Sequence, residues 1–139
     1  MNSNHKQFYI IDDDDMNNLI CKMVISSAIP DATVMTFNQP IEALMHVKDE
    51  FNKPKHEKVI ILLDINMPEM NGWQFLEALE ESSDLVNDRF LIFMASSSVN
   101  PEDKQKAKNN LHILDFIEKP ITEGIVLELS KNYFQESTA

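Results

Sequence analysis

The stretch Val59-Ile60-Ile61-Leu62-Leu63-Asp64 decides the fold. Its five successive apolar residues suit a strand covered on both faces, and it ends on an acid. Such a strand is central to a parallel sheet, so helices and further strands must flank it in the chain. Toward the amino terminus, a polar loop from Asn52 to Lys58 precedes it. Before that loop, Pro40 opens a helix through Ile41, Leu44, Met45 and Val47, since proline suits a first helical turn. Ala32 to Phe37 reads as a weaker strand. Met16, Leu19, Ile20, Met23 and Val24 recur at helical spacing and mark a helix, and Phe8 to Ile11 is the first strand.

Toward the carboxyl terminus, the turn Met67-Pro68-Glu69-Met70-Asn71-Gly72 leads into a helix marked by Trp73, Leu76 and Leu79. Ser82 to Asp88 ends it in a polar loop, and Phe90 to Ala95 is the fourth strand. Asn100-Pro101-Glu102-Asp103 is a helix start, with Asn100 as cap, Pro101 at the first position and acids facing the positive end of the dipole. Ile113 to Ile117 is the fifth strand, Lys119-Pro120 the turn after it, and Thr122 caps a final helix carrying Val126, Leu129 and Phe134. Five βα units account for the sequence, so the expected class is α/β with a doubly wound, five-stranded parallel sheet. One domain over residues 1–139 is expected, with its core at about 7–135 and no effector domain, because no repeat, low-complexity tract or linker interrupts the pattern.

Composition narrows the partners. Twelve basic against twenty-three acidic side chains leave a net charge of -11, which argues against wrapping a phosphate backbone and for cations or basic patches. No apolar stretch reaches the length of a membrane span, and the expected location is the cytoplasm. The lone Cys21 sits in an apolar helical pattern and reads as a buried structural thiol. Gly72 and Gly124 are the only glycines, so there is no glycine-rich phosphate loop and no case for nucleotide binding.

The chemistry lies at the strand ends. Asp12 and Asp13, then Asp64, then Ser96, then Lys119 each follow a different apolar run, and a parallel sheet brings such positions to one mouth. Asp12 to Asp15 also reads as plain helix capping, but four acids at one strand end repel each other unless a cation is near. Two of them cap and two bind on this reading. Asp12, Asp13 and Asp64 together imply a hard divalent ion, and magnesium suits a phosphate site better than calcium. The four histidines are scattered, which argues against zinc. Lys119, at the turn before Pro120, is placed to reach an anionic group bound there.

Asp12-Asp13 after Ile10-Ile11, the run Asp64 to Gly72, Ser96 after the fourth strand and Lys119-Pro120 after the fifth resemble a response-regulator receiver domain of two-component signalling. The likeness is to the stand-alone, chemotaxis-regulator-like kind and extends over essentially the whole sequence. It implies a flavodoxin-like sheet in the order 2-1-3-4-5. It also implies that a sensor histidine kinase or histidine phosphotransfer protein passes a phosphoryl group to Asp64, with magnesium as cofactor. Asp13, Asp64 and the backbone carbonyl of Asn66 would hold the metal directly, Asp12 would act through a coordinated water, and Lys119 would pair with a phosphoryl oxygen.

Ser96 stands where such receivers more often have threonine, and its hydroxyl keeps the hydrogen bond while losing the stiffness of a β-branched side chain. Phe116 matches the aromatic that couples to that hydroxyl, a switch if it moves and core packing if it does not. Such a domain is no enzyme beyond its own phosphorylation and dephosphorylation, and it acts through an unspecified downstream protein. The usual contact surface of the family here offers Lys104, Lys106 and Lys108. Two other readings compete. One is a degenerate receiver that binds partners without phosphorylation, although Asp13, Asp64 and Lys119 are all present. The other is a haloacid-dehalogenase type of phosphatase, whose second acid two residues after the nucleophile is here Asn66, which cannot serve as an acid or base.

Overall fold

The computed structural model describes residues 6–54, 57–82, 89–98 and 100–134. Most of the polar loop expected from Ser82 to Asp88, part of that from Asn52 to Lys58, and Val99 therefore lie outside the described residues. The elements alternate throughout: β1 (Gln7–Ile11), α1 (Asp15–Ala28), β2 (Thr33–Phe37), α2 (Pro40–Phe51), β3 (Val59–Asp64), α3 (Gly72–Ser82), β4 (Phe90–Ser96), α4 (Pro101–Lys108), β5 (Ile113–Glu118) and α5 (Glu123–Tyr133). The strands pair in parallel in the order β2-β1-β3-β4-β5, the doubly wound arrangement that the apolar runs and the family resemblance imply. Central β3 is buried at all six positions.

Side chains alternate across the sheet and build one core layer on each face. Tyr9, Ile11, Ile61 and Leu63 pack beneath α2 and α3, while Phe8, Ile10, Ile60 and Leu62 pack against α1 and α5. Each large side chain buried this fully contributes about 1.5–3 kcal/mol. The register aligns the carboxyl ends, with Ile11 opposite both Phe37 and Leu63, Asp64 opposite Ala95, and Ser96 opposite Glu118. The order reverses between β1 and β3, where the ligand crevice of such sheets opens.

Side-chain caps fix the helix starts. Asp14 accepts from the N–H groups of Met16 and Asn17, Asn100 from that of Glu102, and Thr122 from that of Ile125. Asn71 and Gln74 cap α3 reciprocally, each side chain accepting from the other's backbone N–H, at 2.8 and 2.9 Å.

Of the five apolar residues that mark α1 in the sequence, Val24 alone packs against the core. Met16, Leu19, Ile20 and Met23 are exposed, whereas Asn18, Cys21 and Ile25 face the sheet. The amide of Asn18 sets that rotation by donating to the carbonyls of Asp12 and Phe37 at the ends of β1 and β2. On α2, likewise, Ala43, Leu44 and Val47 are buried while Ile41 and Met45 are exposed. At the opposite end of the sheet from the crevice, Arg89 and Glu50 are both buried and joined at 3.0 Å.

Candidate functional site

Backbone hydrogen bonds close the carboxyl edge before any side chain is considered. Asp12 N–H donates to Phe37 O at 3.0 Å, Ile65 N–H to Ala95 O at 3.2 Å and Lys119 N–H to Ser96 O at 2.9 Å. Asp12, Asp64, Ser96 and Lys119 are thus held at one edge by four different strand ends. A cis peptide bond joins Lys119 to Pro120.

Asp12 is buried, with one carboxylate oxygen accepting from Asp14 N–H at 2.9 Å. The other accepts from the Asn17 amide at 2.7 Å and from the Lys119 ammonium. Lys119 also donates to Asp64 Oδ1 at 3.1 Å, so one cation lies between two buried acids. Asp13 is exposed at the mouth. Asp12, Asp13 and Asp64 each offer a carboxylate oxygen, and these oxygens lie within 4.8 Å of one another. Three carboxylates against one ammonium leave two negative charges uncompensated within this cluster. An all-oxygen donor set with that charge fits a hard divalent cation.

Electrostatics follow from the crowding. Burial pushes the Asp64 carboxyl up to about 6; Lys119 opposes that rise, Asp12 adds to it, and the Asn66 N–H hydrogen bond lowers it again. Burial alone would lower the Lys119 ammonium, but its contacts with Asp12 and Asp64 win and its pKa is raised. The Cys21 thiol is pushed up to about 11 by burial and is an inert core group, as its helical position in the sequence suggests.

The other expected site residues sit close by. Ser96 is buried, and its hydroxyl donates to Ser98 O at 3.1 Å and accepts from Ser98 N–H at 3.2 Å, which holds it to its own loop. Asn66, exposed, directly follows Asp64 and Ile65. Phe116 is half-buried against the α2–α3 core layer and borders a groove of about 580 Å³ between α4 and β5. Lys104, Lys106 and Lys108 do not form one patch: Lys104 and Lys108 line that groove with β5, while Lys106 lies over the Trp73 ring.

Three residues in or beside the site have roles that the sequence reading does not assign. Asn17 holds Asp12, Asn18 holds the end of β1, and Gly72 lets α3 start against the backbone of Asp64. A Cβ on Gly72 would lie 2.7 Å from Asp64 O, so only glycine fits there. The signal for Asn18 is present in the sequence as a polar residue in the stripe shared with Cys21 and Ile25.

Buried acids and a lysine thus meet at the carboxyl edge of a doubly wound sheet, the class of fold whose ligand crevice opens there. The response regulator receiver domain model matches residues 8–130, and the chain belongs to that family. The fold is closely similar to that of a response regulator receiver protein from Dyadobacter fermentans, at 28% identity and TM-score 0.82 over 94% of this chain and 99% of that one. A two-component response regulator from Cytophaga hutchinsonii shares the fold at 23% identity and TM-score 0.84, covering 95% and 98% of the two chains. Among curated proteins, the transcriptional regulatory protein FlgR of Helicobacter pylori is 25% identical over 116 residues, 84% of this chain. The match spans only 26% of that protein's length. Among the described residues, no helix is long and apolar enough to cross a membrane.

Proposed function

We propose that this chain is a working phosphoacceptor: a sensor histidine kinase or histidine phosphotransfer protein donates a phosphoryl group to Asp64, and the altered surface is read by a downstream protein. The observation that carries the reading is the arrangement of Asp64 itself. It is a buried carboxylate at the end of the central strand, hydrogen-bonded to Lys119 and clustered with Asp12 and Asp13. A carboxylate oxygen of Asp64 attacks phosphorus in line, the bond from phosphorus to the donor imidazole nitrogen breaks, and the imidazole keeps the electron pair. Lys119, already bonded to Asp64, exchanges that contact for a phosphoryl oxygen.

Asp13, Asp64 and the Asn66 carbonyl are the residues to hold magnesium, with Asp12 acting through a water. When bound, the ion neutralises the phosphoryl oxygens. Ser96 releases its loop partner to donate to the phosphoryl group, and Phe116, half-buried beside the groove between α4 and β5, moves in response. The chain then works in the cytoplasm as a single receiver over residues 1–139, catalysing only its own phosphorylation and dephosphorylation and contacting no nucleic acid itself.

Intact mass after incubation with acetyl phosphate tests this, with and without magnesium, beside Asp64→Asn. A magnesium-dependent gain of one phosphoryl group, absent in the variant, is the expected result. No gain in a folded protein would overturn it in favour of a phosphorylation-independent binding module.

A further inference from the structure

We infer that Trp73 is a positioning residue that ties α4 to the phosphoacceptor segment, so that a displacement at Asp64 is passed to α4 through this side chain. The inference deepens the proposed function and rests on it for the phosphorylation step alone.

The tie begins at the backbone. Gly72 N–H donates to Ile65 O at 2.9 Å, and a Cβ on Gly72 would meet Asp64 O at 2.7 Å and the Met94 methyl at 2.9 Å. The end of β3 and the start of α3 are therefore packed without slack, and close-packed groups transmit displacement rather than absorb it. Trp73 is the next residue. Its indole N–H donates to Asp103 Oδ1 at 3.1 Å, and the Lys106 ammonium lies 5.0 Å from its ring centroid. Both partners are on α4, three residues apart and so on one face of it. A charge-assisted hydrogen bond and a cation–π contact thus meet on one ring.

Apart from the clamp, α4 packs along β5 and does so shallowly. Of its eight residues only Ala107 is buried, and Asn100 caps its start. The clamp therefore adds a side-chain tie from α3 to a helix that otherwise packs shallowly along β5. Trp73 is also the only tryptophan in the chain, so its emission reports the clamp with no other fluorophore of its kind.

Amide hydrogen exchange on the full chain without phosphorylation is the first arm of the test, comparing wild type with Asp103→Ala and Asp103→Asn. Both variants lose the same helix-dipole charge, but asparagine keeps an oxygen for the indole N–H. The alanine variant is expected to raise exchange about threefold both in 101–108 and in the segment 65–71 beside Asp64, while the asparagine variant stays near wild type. Faster exchange in α4 with segment 65–71 unchanged would overturn the inference, because a local loss of helix stability would do that much.

In the second arm, initial labelling by acetyl phosphate with magnesium is followed by intact mass and by Trp73 emission. Loosening the tie is expected to raise the labelling rate about threefold in the alanine variant, since the segment it restrains adjoins the reacting carboxylate of Asp64 and must shift as the phosphoryl group enters. Labelling should also shift Trp73 emission in the wild type. A labelled wild type with unchanged emission, or an alanine variant labelled at the wild-type rate, would overturn the inference. A wild type that gains no mass would defeat the phosphoacceptor reading, and the exchange arm would then decide the tie by itself.

Discussion

The two ends of the sheet both bury charge, and they handle it in opposite ways. At the amino-terminal end, Arg89 Nε donates to Glu57 O at 2.7 Å, one terminal nitrogen to Glu50 O at 3.0 Å, and the other to the Glu50 carboxylate at 3.0 Å. Lys53 donates to the second Glu50 oxygen at 2.7 Å, and the guanidinium stacks 4.9 Å from the Phe90 ring centroid. That pair is matched in charge and well supplied with hydrogen bonds. At the carboxyl end, one lysine is shared between two buried acids with a third at the mouth, and Asp64 is left with a raised pKa. Matched charge makes a brace, whereas unmatched charge leaves a cluster suited to the cation and phosphoryl group of the proposed function.

The largest expected effect breaks the brace. Arg89→Ala leaves Glu50 buried without its main partner and should cost about 3 kcal/mol, read as a lower urea midpoint at constant slope. Replacing both partners, as in Arg89→Met with Glu50→Leu, removes the stranded charge and should recover most of that loss. A double variant as unstable as the single one would mean that the brace acts through its backbone bonds to Glu57 and Glu50 rather than through charge.

The same experiment at the other end should have the opposite sign. Asp64 has a folded-state pKa above its ordinary value, so the folded protein binds the proton more tightly than the unfolded chain. The stability that this group supplies is present at low pH and lost as pH rises through about 6. At neutral pH its carboxylate is a liability. Asp64→Asn should therefore stabilise the metal-free protein by about 1 kcal/mol at pH 7, a value discounted for solvent screening, and the advantage should vanish toward about pH 4. Thermal melts of both proteins across that range check it. A variant less stable than wild type at pH 7 would show that the Lys119 contact outweighs burial.

That contrast also explains what was legible in the sequence. The site acids and Lys119 stand at the ends of apolar runs, and parallel pairing alone brings them together, so Asp12, Asp64, Ser96 and Lys119 emerge from spacing. The brace was invisible, because nothing local links Arg89 to a glutamate thirty-nine residues earlier. The rotation of α1 was hidden for a different reason. Its residues supply two stripes at helical spacing, Met16, Leu19, Ile20 and Met23 on one side and Asn18, Cys21 and Ile25 on another. Periodicity favours the more apolar stripe, yet the hydrogen bonds of Asn18 to Asp12 O and Phe37 O select the other. Trp73 was legible as a helix marker but not as a clamp, since its partners lie on a helix thirty residues away.

The smallest expected effect sharpens the comparison within the site itself. The Asn17 amide is a neutral donor on the oxygen of Asp12 that also receives Lys119, and it spreads negative charge that the single lysine leaves unmatched. Asn17→Ala should therefore destabilise by about 0.5 kcal/mol, the ordinary net worth of one hydrogen bond, while Asp64→Asn stabilises. Two substitutions in one cluster then move stability in opposite directions, one by removing a donor and one by removing excess acid. The two should also couple. With Asp64 neutralised, Lys119 serves Asp12 alone, and the Asn17 donor has less charge to relieve. Urea melts of the double-mutant cycle should give a cost for Asn17→Ala that is smaller in the Asp64→Asn background than in wild type. An equal cost in both would mean that Asn17 only caps its own turn of α1, and that the charge imbalance stops at Lys119.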